Sequence, residues 1–169
     1  MLEELGWALH DRSINFLSHD DWGKLKRSLR NSDADINVFE ASNRQLNRKA
    51  VSDDRLDVLL SPEAAGVDEV LAAKACENEV SVALSLRNLI DSNCRAELLS
   101  DWRIILDTVA SQDARYMLTT EAETKWEPRS PRAVRSLVDT LGFDGKTAIR
   151  THRQVTGNGD KEEEAGGSP

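Results

Sequence analysis

Residues 42–60 read SNRQLNRKAVSDDRLDVLL, a basic helical pattern that runs directly into an apolar strand candidate. The strand candidate contains one acid, Asp57, between Leu56 and Val58. A nearly continuous apolar strand is typical of a parallel sheet that is covered on both faces. The stretch therefore predicts one helix-to-strand step of an α/β fold.

Other segments repeat this alternation of apolar runs and amphipathic patterns. We predict strands at ADINVFEA (34–41), RLDVLLS (55–61), VSVALSL (80–86) and RYMLTT (115–120), with WALHD (7–11) as a further candidate. Helical patterns occupy HDDWGKLKRSLRN (19–31), VDEVLAAKACENE (67–79) and CRAELLSDWRIILDTVASQ (94–112). Ser18 is the predicted cap of the first of these helices. A later helix is predicted to begin with Ser130 as N-cap and Pro131 in its first turn, and to end at Gly142.

The spacing of the strands restricts the architecture. Strand candidates begin 21 to 35 residues apart, which matches repeated βα units. Right-handed crossovers then leave a doubly wound sheet or a (β/α) barrel, and spacing does not choose between them. We predict one domain over residues 1–156 and a disordered acidic tail, GNGDKEEEAGGSP, at 157–169.

The composition is that of a cytosolic globular protein, with 39% hydrophobic and 31% charged residues. No apolar run approaches the roughly 20 residues that cross a bilayer, and the N-terminal MLEELGWALHD lacks a signal-peptide pattern. We therefore predict a cytoplasmic protein without a membrane partner. The net charge of -8 is unusual for a nucleic-acid-binding protein, but residues 123–156 are locally basic, with 7 basic and 4 acidic side chains.

No catalytic or metal-binding constellation is visible. The three histidines, His10, His19 and His152, are far apart and form no ligand motif. The acids beside His19 are better explained as helix-capping groups than as metal ligands, because acids stabilise a helix start. Glu121 and Glu123 follow a strand but lack a partner nucleophile. Gly145-Lys146-Thr147 lacks the upstream glycine and the strand that a phosphate-binding loop requires.

An ordered series of short motifs supports a family resemblance. The matches are Asn47-Arg48-Lys49-Ala50, Arg55-Leu56-Asp57-Val58-Leu59, Ala72-Ala73-Lys74-Ala75, and the segment KWEPRSPRAVRSLVDTLGF at 125–143. Each motif is weak by itself, but their order and spacing are moderately specific. With them the chain resembles the archaeal ribonuclease P protein component 3 family, relatives of the human thirty-kilodalton ribonuclease P subunit.

The resemblance implies a (β/α) barrel of the polymerase-and-histidinol-phosphatase-like type, trimmed at the N-terminus. It also implies a protein subunit of ribonuclease P, the ribonucleoprotein endonuclease that removes the 5′ leader of precursor tRNA. In that family the RNA subunit performs the chemistry with Mg²⁺, so the isolated chain is expected to be non-catalytic and to bind no cofactor. The implied partners are ribonuclease P RNA, precursor tRNA indirectly, the archaeal component 2 and other protein subunits. A stand-alone metal-dependent phosphoesterase and a protein-binding scaffold are the alternatives.

Two basic sets are the predicted contacts with RNA or a partner protein. The first is Arg44, Arg48 and Lys49, and the second is Lys125, Arg129, Arg132 and Arg135. In the first set, ion pairs with Asp53, Asp54 and Asp57 are an equally good explanation of Arg48 and Lys49. The second set has fewer compensating acids, and a guanidinium binds phosphate through two hydrogen bonds, which favours RNA or partner contact. Beside it, Trp126 could stack on a base or cover the barrel mouth.

Overall fold

A computed structural model of the chain describes residues 12–120 and 130–157. Several predictions concern residues outside these ranges. These are the strand candidate at 7–11, His10, Glu121, Glu123, Lys125, Trp126, Arg129 and residues 158–169 of the predicted tail.

The described strands form one parallel sheet. They are β1 (Ile14–Leu17), β2 (Ile36–Glu40), β3 (Val58–Leu60), β4 (Ser81–Ser85) and β5 (Tyr116–Thr119). Their order in the sheet follows their order in the chain, and every neighbouring pair is parallel. This excludes the doubly wound alternative for these strands, because a doubly wound sheet reverses its strand order. Within the described ranges β1 and β5 are the two edges, so the five strands form an open sheet.

Seven described helices accompany the sheet. They are α1 (Trp22–Arg30), α2 (Arg44–Val51), α3 (Glu69–Glu77), α4 (Leu86–Asp91), α5 (Arg95–Ser111), α6 (Pro131–Thr140) and α7 (Gly145–Thr156), with a 3₁₀ turn at Ala64–Gly66. The predicted cap of α6 is confirmed, because Ser130 accepts a hydrogen bond from the Ala133 amide at 3.3 Å. The predicted cap of α1 is wrong. Asp21, not Ser18, precedes the first helical residue and accepts from the Lys24 amide at 3.0 Å.

The helices build the main core on one face of the sheet. Leu59, Val82 and Leu118 from the strands pack there with buried side chains of α1, α2, α3, α5 and α6, including Leu25 and Trp102. The other face carries a smaller apolar cluster of Ile36, Val38, Val58, Leu60, Ala83 and Met117. The two faces account for the continuous apolar character of the strands, since both sets of alternating side chains are buried.

Helix α7 joins the two edges of the sheet near the N-terminal ends of the strands. The hydroxyl of Tyr116, the first residue of β5, donates to the carbonyl of Asp144, which caps α7, at 3.2 Å. At the other end of α7, Nη1 of Arg12 donates to the Val155 carbonyl at 2.9 Å, just before β1. Val155 also packs against the smaller apolar cluster. The helix therefore reaches from β5 to the start of β1.

In the described ranges, no helix combines the length and the apolar composition needed to cross a bilayer.

Candidate nucleic-acid interface

The first basic set lies on the outward side of α2. Asn43 caps the helix by accepting from the Leu46 amide at 3.0 Å. Leu46, Asn47, Ala50 and Val51 are buried, so the remaining positions point away from the sheet. Arg44 and Lys49 are exposed. Arg48 is half-buried, at the boundary between the buried and the exposed face of the helix. The predicted basic helix is therefore confirmed, with its cations on the surface.

Asn47 explains why the motif contains a buried polar residue. Its side-chain oxygen accepts from the Ser42 amide at 2.8 Å, and its nitrogen donates to the Ser42 carbonyl at 3.1 Å. The same nitrogen is 3.5 Å from the Gly66 carbonyl. A Cβ at Gly66 would lie 3.0 Å from this nitrogen, so the close approach favours glycine there. Asn47 thus fixes the entry to α2 and holds the 3₁₀ turn against it.

Asp68 is the main acidic partner of the first set. Arg48 donates from both Nε and Nη2 to its carboxylate, with an Nε–Oδ1 distance of 3.3 Å. Nε of Arg44 is 3.7 Å from the same carboxylate and donates to the Ala65 carbonyl at 2.7 Å. The hydrogen bonds from Arg48 lower the pKa of Asp68 below its usual value. In contrast, Lys49 forms no ion pair with any residue in the described ranges.

The acids predicted to neutralise Arg48 and Lys49 have other partners. Asp53 accepts from Nε and Nη2 of Arg55 at 2.8 and 2.7 Å, and Asp54 lies 3.8 Å from the same guanidinium. Burial raises the pKa of Asp53, but the hydrogen bonds from Arg55 outweigh this effect and lower it. Of the two explanations that the sequence left open, ion pairs of Arg48 and Lys49 with these acids are therefore not the one observed: Asp53 is paired with Arg55, whereas Arg48 is paired with Asp68.

Asp57, the acid inside the strand motif, also has a structural role. Its carboxylate accepts from the Asn37 amide of the neighbouring strand at 2.7 Å. Burial raises the pKa of Asp57, and this hydrogen bond opposes the rise. The Asn37 side chain donates to the Arg55 carbonyl at 3.0 Å, which ties β2 to the segment that leads into β3.

The second basic set is represented by Arg132 and Arg135 on α6. Both are exposed. Arg132 forms no ion pair with any other residue that the structure describes, whereas Nε of Arg135 is 3.5 Å from Asp139. The stem of Arg135 also packs beside Gly145, where an added Cβ would lie 2.7 Å from its Cγ. Arg132 is therefore the less committed of the two cations.

The structure does not bring the two sets into one cluster. Helix α2 follows β2, and α6 follows β5, with β3 and β4 between them. Three strand spacings separate these strands by roughly 14 Å, before the outward position of the helices is added. The two sets therefore lie on separate parts of the helix layer.

A basic groove between α1 and α2 was missed at the sequence level. Its cations are Lys26 on α1, Arg48 and Lys49 on α2, and Arg55 in the following loop. Nζ of Lys26 lies 6.0 Å from the centre of the Trp22 ring. The available signal was the spacing of Trp22 and Lys26, one helical turn apart, beside the basic α2 motif.

The catalytic candidates in the described ranges have structural roles. Nε2 of His19 is 2.9 Å from Oγ of Ser28, and Asp21 caps α1. His152 is buried in α7, and burial lowers its pKa to about 3. Gly145 starts α7 behind the acidic cap Asp144, an unfavourable neighbour for a phosphate. Among the residues that the structure describes, no group of three His, Cys, Asp or Glu side chains is arranged to hold a metal ion.

A family model and several known proteins are similar to this chain. A family model described as RNase P subunit p30 matches residues 16–159. Ribonuclease P protein component 3 of Methanosarcina barkeri is 30% identical over 132 residues, which are 75% of this chain and 53% of that protein. The component 3 protein of Natronomonas pharaonis is 33% identical over 103 residues, which are 59% of this chain and 44% of that protein. The chain thus spans about half the length of the curated relatives it matches.

A solved structure extends the likeness to the fold. A chain in the cryo-EM structure of archaeal ribonuclease P with mature tRNA superposes with a TM-score of 0.78 at 24% identity. The match covers 87% of this chain and 68% of that chain.

Proposed function

The chain belongs to the RNase P subunit p30 family, and we propose on this basis that it is a protein subunit of ribonuclease P, which removes the 5′ leader of precursor tRNA. The family match over residues 16–159 carries the proposal, because it includes every described strand but the start of β1. The exposed cations of α2 and α6 support it, because a protein that stabilises a folded RNA requires positive donors on a rigid scaffold.

In the proposed holoenzyme, the RNA subunit performs the cleavage with bound Mg²⁺, and this chain supplies no catalytic group. The positions of the candidate groups are consistent with that role. His19 is hydrogen-bonded to Ser28, Asp21 caps a helix, and His152 is buried where protonation is unfavourable. A stand-alone phosphoesterase or a scaffold for proteins alone would be a different outcome of the test below.

The finer points of the prediction also belong to the proposal. We propose that the open parallel sheet is part of a (β/α) barrel of the polymerase-and-histidinol-phosphatase-like type, and its sequential strand order supports this. The proposed partners are ribonuclease P RNA, the archaeal component 2 and other protein subunits, in the cytoplasm. Arg44, Arg48, Lys49, Arg132 and Arg135 are the described residues proposed to contact RNA or a partner.

Affinity purification of the tagged chain from its host, followed by sequencing of the bound RNA, tests the proposal. We expect ribonuclease P RNA to be enriched, and the purified complex to remove the leader of precursor tRNA in Mg²⁺. The chain alone is expected to be inactive on the same substrate. Leader removal or hydrolysis of a generic phosphoester by the chain alone would favour the phosphoesterase, and recovery of proteins without RNA would favour the scaffold.

A further inference from the structure

We propose that the groove between α1 and α2 binds the phosphate backbone of an RNA strand through Lys26 and Lys49. The inference rests on the proposed function, which already includes Lys49, and adds to it Lys26 and the groove that the two lysines share. Neither Arg44 nor the arginines of α6 line this groove. The groove is open and has a volume of about 760 Å³, enough to admit an extended backbone segment from the solvent side.

The two lysines are the cations of this groove that form no ion pair with a described residue. Lys26 is exposed and lies over the face of Trp22, at 6.0 Å from the ring centre. Such a contact is weak at an exposed site and leaves the ammonium donors available. The charge of Lys26 also acts on the Asp53 carboxylate, whose pKa it helps to lower. Lys49 is exposed and has no ion-pair partner among the described residues. Arg48 and Arg55, in contrast, are engaged by Asp68 and Asp53.

The local charge has the sign that a polyanion requires. The groove is lined by four cations and by two acids, Asp53 and Asp54, which leaves a net charge of +2. When Asp68, the partner of Arg48, is counted as well, the region remains positive. The chain as a whole carries -8, but charges more than about 8 Å away are largely screened at physiological salt. The electrostatic potential in the groove is therefore set mainly by its own charges, which are net positive and attract phosphate.

The lining favours RNA over a protein partner. Six of the nine residues that line the groove are charged. The centre of a protein interface is instead depleted in charged residues and enriched in apolar and aromatic ones. Trp22 is the one aromatic residue in the lining, and it is half-buried against the main core. A backbone of repeated phosphates is the better match to this surface.

Helix-dipole stabilisation does not account for both lysines. Lys49 lies in the last turn of α2, where the helix dipole weakly favours a cation. Lys26 lies in the middle of α1 and gains nothing comparable. A lysine at a helix end also retains donors that point to solvent, so the dipole effect and phosphate binding are compatible.

The test compares matched charge changes in reconstituted ribonuclease P. The groove variant is Lys26→Gln with Lys49→Gln, and the control is Lys24→Gln with Lys146→Gln, two exposed lysines outside the groove. Affinity for ribonuclease P RNA is measured over a series of salt concentrations. Loss of two phosphate contacts should reduce the slope of log affinity against log salt by about 1.4 to 1.8. The control should keep the wild-type slope. The charge-preserving variant, Lys26→Arg with Lys49→Arg, should also have the wild-type slope.

Each outcome has a defined meaning. If wild-type protein fails to associate with ribonuclease P RNA, the proposed function fails and this surface fails with it. If the wild type binds RNA but the groove variant keeps the wild-type slope, the groove proposal is overturned and the proposed function stands. If the groove variant loses a protein subunit at an unchanged RNA slope, the surface binds protein and the proposal is equally overturned. Circular dichroism of all three variants confirms that the comparison is made between folded proteins.

Discussion

The carboxylate of Asp68 receives hydrogen bonds from both Nε and Nη2 of Arg48, 20 positions earlier in the chain. The same carboxylate caps α3 by accepting from the Leu71 amide at 3.0 Å. One side chain therefore starts a helix and also orients a cation of the candidate interface. The two roles can be separated, because asparagine caps a helix about as well as aspartate but carries no charge.

Asp68→Asn is expected to lower the free energy of unfolding by under ~1 kcal/mol, because the ion pair is partly exposed and the cap is kept. Asp68→Ala should cost about 1 kcal/mol more through loss of the cap. Denaturant unfolding of both variants measures the difference. Equal losses of unfolding free energy in the two variants would show that the cap contributes nothing measurable.

If Arg48 contacts RNA, Asp68→Asn should also strengthen RNA binding at low salt, since the side chain that competes for Arg48 carries no charge in the variant.

Arg132 should contribute more to RNA binding than Arg135. Arg132 has no ion pair in the described ranges, whereas Arg135 is paired with Asp139 and packs beside Gly145. Arg132→Gln is therefore expected to reduce the salt slope of RNA affinity by about 0.7 to 0.9, with stability unchanged within ~0.5 kcal/mol. The measurement is RNA binding by the reconstituted complex at several salt concentrations. A larger effect for Arg135→Gln than for Arg132→Gln would contradict this ranking.

The buried imidazole of His152 should make stability fall in mild acid. Burial lowers its pKa to about 3, whereas an unfolded histidine titrates near 6.5. Between these values the unfolded chain binds more protons than the folded chain, so the free energy of unfolding decreases as the pH falls below about 6.5. The full contribution is present well above that pH, where the unfolded histidine is also neutral.

From about pH 6.5 to about pH 5, the loss attributable to His152 should be about 1 to 2 kcal/mol. Denaturant unfolding of wild type and His152→Gln across this range isolates it, because the variant lacks the titrating group. His19→Gln is the matched control and should retain the wild-type decrease. An identical pH dependence in wild type and His152→Gln would show that the imidazole stays accessible to protons.

The junction of α6 and α7 should tolerate no side chain at Gly145. An added Cβ would lie 2.5 Å from the backbone oxygen of Arg135 and 2.8 Å from a carboxylate oxygen of Asp139. Gly145→Ala is expected to lower the free energy of unfolding by about 1 to 3 kcal/mol, since backbone must move. Lys146→Ala, at the next and exposed position, should change it by under ~0.5 kcal/mol. A thermal or denaturant melt in which both variants match wild type would refute the close packing.

Most of the sheet could be predicted because β2 to β5 are apolar runs, and the helix signals at Ser130-Pro131 and Gly142 are local. Strand β1 was missed because it is four residues long and buries only Leu17 fully. Helix α4 was missed because Ser85 both ends β4 and caps the helix, with no intervening loop. Helix α7 begins with Gly-Lys-Thr, which has no helical periodicity by itself.

The candidate site was harder to predict than the fold. The basic motif placed Arg44, Arg48 and Lys49 correctly on one helix, because helical spacing is a local property. The partner of Arg48 depends on the packing of α2 against α3, and the groove with Lys26 depends on the packing of α1 against α2. These are tertiary contacts, and a single sequence carries no local signal for them.

Helix α7 also has a consequence for the order of folding. Its contact with Arg12 joins positions 143 residues apart, so it depends on loop closure across most of the chain. The successive pairs β1–β2 to β4–β5 are formed by nearer segments, and contacts of low sequence separation form faster. The sheet can therefore grow strand by strand, but its two edges become one cooperative unit only when α7 docks. The first strand of the sheet and the last described helix should then lose their protection from amide hydrogen exchange together.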